Sequence, residues 1–292
     1  MDTALFVRLR RSGAAADLAV VTTWAIGARA QTPQTTLPLT PQRERGASIT
    51  PAFEGWYPNP DGSFSMLLGY YNRNSKQALD IPVGPNNRVE PGGPDQGQPT
   101  HFENGRQWGV FVVKIPKDFG TKAITWTIVS NGETQSVPFT LNKGYPISPY
   151  KELGMGNQPP VLAFSQDGAK VTGPPLAASA SFTGTVSQPV AISVWVEDPK
   201  APGGAEGGGL GRVFAPLVAS VSLHKFRGPG TVTFDKARTS VNKQGDMISI
   251  SATFDAPGDY TLRVQANDES GEGGGGFQCC WTNTYVKVTV RP

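Results

Sequence analysis

Past residue 45 the chain alternates apolar and polar side chains with a period of two, and helical periodicity is scarce. Short runs rich in Val, Ile, Thr and aromatic residues are broken by Gly, Pro, Asn and Asp, the pattern of a β-sandwich or barrel. Val190, Ile192, Val194 and Val196 share one face of such a run, and Ile124, Trp126 and Ile128 share a face of another. In a first region, strands are expected at 48–53, 63–71, 79–83, 108–115, 123–130 and 136–141. In a second, they are expected at 161–164, 181–186, 190–197, 218–226, 231–234, 247–254, 260–266 and 284–290. Asp61-Gly62 and Asn131-Gly132 supply hairpin turns. The pattern predicts an all-β protein of two tandem β-sandwich domains, 47–142 and 159–292, joined by a Pro- and Gly-containing linker at 143–158. The polar stretch from Gly84 to Gly105 is expected as one long loop, either functional or mobile.

Composition narrows the class. Gly (35) and Pro (26) make about a fifth of the 292 residues, high for a helical chain and too low for a disordered one. The net charge is +3, with no concentrated basic block past the N-terminus, so nucleic acid is not an expected partner. No run of 18 apolar residues occurs, so no membrane span is expected in the mature chain. The first 30 residues read as a signal peptide. Arg8, Arg10 and Arg11 precede a small-and-apolar run at 14–28, interrupted by Asp17, and Ala28-Arg29-Ala30 fits a cleavage site before Gln31. Residues 31–46 read as a disordered N-terminal segment, and the protein as exported to the periplasm, cell surface or medium.

The stretch Phe254-Asp255-Ala256-Pro257-Gly258-Asp259-Tyr260-Thr261-Leu262-Arg263-Val264 resembles a strand corner of PKD-type and related bacterial immunoglobulin-like domains. Gly228-Pro229-Gly230-Thr231-Val232 and Val286-Lys287-Val288-Thr289-Val290 fit the strands around it. The resemblance covers the C-terminal half only, and it implies an immunoglobulin-like sandwich there. Pro257-Gly258 supplies a sharp corner, and Tyr260 sits where a tyrosine corner bonds back to the backbone. Such sandwiches host many unrelated roles, so the resemblance implies a fold and no activity.

If that strand order holds, two glycine-rich loops share one pole of the sandwich, 198–216 and 267–283. They gather Asp198, Arg212, Asp268, Glu269, Cys279, Cys280 and Trp281 as a candidate binding tip, unless the pole packs against the first domain. Cys279 and Cys280 are the only cysteines. A vicinal disulfide, a pair of thiols and a bridge to a partner all remain open. Asp198, Asp268 and Glu269 are a weak option for calcium, although no consensus loop spacing is present. No other cofactor is implied.

Catalytic signatures are missing. No nucleophile elbow, P-loop or His-Glu-x-x-His occurs. His224 is expected to point outward into solvent from its strand, and His101 to make structural hydrogen bonds. Trp56-Tyr57 and Tyr70-Tyr71 form a candidate aromatic surface, because one ring of an adjacent pair on a strand faces out. The sequence therefore points to an exported, non-catalytic interaction or structural module, such as a subunit of an envelope or extracellular assembly with a protein partner. A carbohydrate-binding envelope protein is the alternative, and a hydrolase using the Gly84–Gly105 loop is a third.

Overall fold

A computed structural model describes residues 42–154, 156–199, 218–268 and 279–292, and every regular element in them is a strand. The signal-peptide segment 1–30, Arg212 and Glu269 lie outside the described residues, as does most of 31–46.

The N-terminal half stacks two three-stranded antiparallel sheets. One has the order β1-β2-β6, from β1 (Ile49–Pro58), β2 (Phe64–Asn72) and β6 (Gly105–Ile115). The other has the order β4-β7-β8, from β4 (Asn87–Glu90), β7 (Ile124–Ser130) and β8 (Glu133–Phe139). A short pair, β3 (Leu79–Asp80) with β5 (His101–Phe102), lies beside them. Ile49, Met66, Leu68 and Phe111 from one sheet meet Trp126, Ile128 and Phe139 from the other in a shared core. Asn131 and Gly132 both take positive φ in the β7–β8 turn, as a tight Asn-Gly hairpin requires.

The stretch from Gly84 to Gly105 is not one long loop: it contributes β4 and β5. The reason is a buried asparagine. The Asn87 side chain donates to the carbonyls of Ile81 and Pro99 and accepts from Trp126 Nε1. These bonds hold the polar segment against β7, and Val89 fills the core beside it.

The C-terminal half is an immunoglobulin-like sandwich. Its four-stranded sheet has the order β13-β15-β11-β9, from β9 (Val161–Ala163), β11 (Val190–Glu197), β13 (Val232–Phe234) and β15 (Asp246–Phe254). Its five-stranded sheet has the order β10-β17-β16-β12-β14, from β10 (Ala178–Thr185), β12 (Ala219–Arg227), β14 (Thr239–Val241), β16 (Gly258–Asn267) and β17 (Trp281–Arg291). Ile192, Val194, Ile248 and Ile250 on one sheet pack on Leu223, Leu262, Val264, Val286 and Val288 on the other. At the corner, the Tyr260 hydroxyl donates to the Ala256 carbonyl at 2.8 Å and accepts from the Gly230 N–H at 3.1 Å. Gly258, after Pro257, takes φ +139. A Cβ on Gly228 would lie 2.2 Å from the Tyr260 ring, so that glycine makes room for it.

All described residues belong to one compact unit. Phe226 on β12 is buried in the N-terminal core, and Tyr285 on β17 packs against the same core. The segment 143–158 runs along β1, where Trp56 N–H donates to the Tyr145 carbonyl and Ile147 N–H donates to that of Trp56.

Candidate functional site: a polar seam between the halves

Strands β12, β16 and β17 alternate cleanly. One face carries Val221, Leu223, Leu262, Val264, Ala266, Val286 and Val288 into the sandwich core. The other carries Ser220, Ser222 and His224, then Arg263, Gln265 and Asn267, then Trp281, Asn283 and Tyr285. By composition that second face belongs in water. Instead Arg263, Gln265, Asn267 and Asn283 are each only 1–2% exposed. Part of this face is buried against the N-terminal half.

The N-terminal half meets it with an irregular edge. In the β2–β6 ladder the register shifts, so that Gly69 opposes the bulge between Gln107 and Phe111. Gly109 takes φ +53 there, and the bulge turns backbone groups out of the ladder. Gly109 N–H donates to Glu54 Oε2 at 2.8 Å. The Trp108 and Gly109 carbonyls accept from Asn283 Nδ2, and the Val110 carbonyl accepts from the Tyr285 hydroxyl at 2.6 Å. Arg263 reaches the Trp108 carbonyl at 3.5 Å and also donates to Gln107 Oε1. Edge-strand carbonyls that cannot be left bare are thus capped by side chains of the other half.

Behind the bulge sits Glu54, its side chain 1% exposed and paired with Arg106 at 2.6 Å. Burial raises the Glu54 carboxyl above its usual range, opposed by Arg106, the Gly109 N–H and Arg263. Gly69 leaves the space this needs, since a Cβ there would lie 2.0 Å from Glu54 Oε1. The Arg106 guanidinium also covers the Trp108 ring, 3.9 Å from its centroid.

At the other end of the seam the contacts are ionic. His224 is not a solvated surface histidine. Its Nδ1 lies 2.6 Å from Glu103 Oε2, and its Nε2 lies 2.9 Å from Ser222 Oγ. Its outward direction is right; what lies outward is the other half of the protein. A register shift between Lys225 and Arg227 re-aims both cations. Lys225 pairs with Asp80 at 2.8 Å, and Arg227 pairs with Asp95 at 2.8 Å. His101 shares Asp80 at 2.9 Å. Burial acts most strongly on Glu103 and would raise it, but His224, Arg263 and His101 together hold it below its usual range. Asp80 is likewise pushed up by burial and pulled down further by His101 and Lys225, to about 2.

Ser222, His224 and Glu103 have the order of a nucleophile–base–carboxylate relay. Ser222 is 3% exposed, however, so its hydroxyl ends a hydrogen-bond chain inside the seam and does not face a substrate.

The residues singled out in the sequence fall as follows. Cys279 and Cys280 are buried and joined to each other in a vicinal disulfide. Cys279 Sγ lies 3.9 Å from the Asn157 carbonyl. Trp281 is buried against β6, its ring 2.8–3.2 Å from where a Gly109 Cβ would stand. This part of the pole therefore touches the N-terminal half. Asp268 accepts from Asn157 Nδ2 at 2.6 Å, and the Asp198 backbone exchanges two hydrogen bonds with the Gln244 side chain. Among the described residues no three His, Cys, Asp or Glu side chains gather as a metal-binding group. Of the aromatic pairs, Tyr57 and Tyr70 are buried while Trp56 and Tyr71 are half-buried. Burial raises the hydroxyls of Tyr57 and Tyr70 beyond the usual phenol range. Among the described residues the most exposed rings are instead Tyr145 and Tyr150, in the segment joining the halves. Glu54, Arg106, Gln107 and Asn283 carry the seam and were not singled out by the sequence; the signals that mark their place are the glycines at 69 and 109.

No protein-family model matches this chain, and no curated protein matches it. Among solved structures it is similar to the D00–D0 domain of intimin (13% identity, TM-score 0.26, covering 83% of this chain and 100% of that one). It is also similar to the Yersinia pseudotuberculosis adhesin InvE (14% identity, TM-score 0.24, 83% and 58% covered). A third likeness is to domains 4 and 5 of the S-layer protein SbsC (12% identity, TM-score 0.23, 84% and 98% covered). Likenesses at these TM-scores carry no argument about what the chain does. No helix among the described residues is long and apolar enough to cross a membrane.

Proposed function

We propose that this chain is a non-catalytic structural or interaction module of the cell exterior, a subunit or accessory protein of an envelope or extracellular assembly. The observation that supports it is the seam. Neighbouring domains in one chain move relative to each other unless their interface is large and hydrophobic, and this one adds the apolar contacts of Phe226 and Tyr285 to its polar ones. Here the interface takes up the bulged edge of β6, an ion-paired edge of β12 and the Phe226 and Tyr285 rings, which pack against the N-terminal core. The side chains best suited to chemistry, Ser222, His224, Glu103 and Arg263, are spent on holding it together. Two sandwiches joined in this way suit positioning or joining partners. Within the immunoglobulin-like kind, the Pro257-Gly258-Asp259-Tyr260 corner favours the PKD type.

The test is fractionation of the native organism followed by cross-linking in intact cells. The expected result is a mature chain beginning at Gln31, recovered from the envelope or the medium within a cross-linked complex. Recovery in the cytosol, or as a solitary chain that turns over a substrate, would overturn the reading.

A further inference from the structure

Sheet edges expose unpaired backbone groups that can take up a strand from another chain, and proteins usually guard them with short length, charge, proline, bulges or cover. Among the described residues the sheet edges are guarded, with one exception. β9, β13 and β14 are three residues long each. β4 has four residues and carries Arg88 and Glu90. β8 carries Glu133 and Pro138. β1 contains two prolines and Glu54, and the segment around Tyr145 and Ile147 covers part of it. The carbonyls of the β6 bulge are capped by Asn283 and Tyr285.

The exception is β10. It has eight residues, Ala-Ser-Ala-Ser-Phe-Thr-Gly-Thr, with no charge and no proline. It pairs in parallel with β17 on one side, and among the described residues no strand lies on its other side. Phe182 points inward and packs on Phe164 with ring centroids 6.4 Å apart, yet it is only partly buried, whereas Ser181 and Thr183 are exposed.

We propose that β10 is a docking edge for a second copy of this chain, the two β10 strands pairing antiparallel to join two five-stranded sheets into one. The occupant follows from charge and parity. A neutral strand sets no like charges against itself, and offers an acidic or basic partner nothing to pair with. Residues opposite each other in a ladder point to the same face, so only a register that sets inward against inward keeps both cores dry. Of the registers that do so, the one proposed here places Phe182 opposite Phe182 of the second copy and Ser181 opposite Thr183 of the second copy, which covers both open rings at once. The partly open Phe182 ring is thereby covered, and Ser–Thr pairs line the outer face. An interface built on one strand pair is small, so the dimer is weak, with Kd between about 1 μM and 1 mM.

Sedimentation velocity of the full chain over a concentration series tests this. The wild type is expected to pass from monomer to dimer as concentration rises. Ser181→Lys with Thr183→Lys sets lysine against lysine twice and is expected to stay monomeric, with an unchanged circular dichroism spectrum and melting temperature. Ser181→Glu with Thr183→Lys sets opposite charges together in the same register and is expected to restore the dimer. A wild type that stays monomeric at about 1 mM, a dimer that survives the double lysine variant, or a Glu/Lys variant no better than the Lys/Lys one would each overturn the proposal. So would loss of the dimer in Tyr145→Ser with Leu153→Ser, which alters exposed apolar side chains of the segment joining the halves.

Discussion

Arg263→Met removes the cation at the centre of the seam while keeping most of its volume. Arg263 is 2% exposed and bonds the Gln107 side chain and the Trp108 carbonyl across the interface. It also favours the charged forms of Glu54 and Glu103. Breaking a buried ionic arrangement by removing one partner costs about 3–5 kcal/mol. Glu54 keeps Arg106 and Glu103 keeps His224, so neither carboxylate is left alone. That puts the expected cost near the lower end, about 3 kcal/mol. For a unit of this size each kcal/mol moves the melting temperature by about 2–4 °C, so the drop should be roughly 6–12 °C. Scanning calorimetry at neutral pH, supported by urea unfolding, measures it. Lys287→Met is the control. Lys287 lies on the same face of the same sheet, on β17, but is exposed, and a surface change should stay within about 0.5 kcal/mol. If the two variants melt alike, the face is not sealed as described.

Three further predictions follow from the same contacts. Tyr260→Phe removes both hydrogen bonds of the corner and should cost about 1–2 kcal/mol, read as a lower urea midpoint; an unchanged midpoint would show that the corner is held by packing alone. Asp80, Asp95 and Glu103 are all held below their usual carboxylate range, so each adds stability above that range and loses it as pH falls through its folded value. Glu54 is raised and acts in the opposite direction, so the fall in stability expected below about pH 4.5 towards pH 2 is the part set by those three carboxylates, and Glu103→Gln should flatten it, as acid titration of unfolding would show. Cys279 and Cys280 should resist alkylation in denaturant and accept two adducts per chain only after reduction, with no covalent dimer on non-reducing gels; labelling without reductant would contradict the pairing.

The chain's own pattern determined the class and most of the strands, though not β4, β5 or β14. Period-two alternation in β11 and β7, the Asn131-Gly132 turn and the Pro257–Tyr260 corner are local features, and local sterics and turn chemistry act on them directly. The same alternation also told that His224 points away from the sandwich core. It did not tell what that residue meets. Arg263, Gln265 and Asn283 have the polarity of a solvent face and are buried, because polarity marks the side chains that leave the core and carries no information about a second body docked there. Only the tertiary structure decided that His224 finds Glu103 across 121 positions of sequence, or that Glu54 is reached by the Gly109 N–H. The bulge in β6 depends on Gly69, Gly109 and the buried Glu54 together, a conjunction of distant residues that no local window contains. β4 escaped for a similar reason: its polar run is held by Asn87, whose partners come from β7 and from segments on either side. Strand identity is set by nearest neighbours. The seam is set by which polar side chains find one another once two sheets have folded, and that is a property of the folded pair.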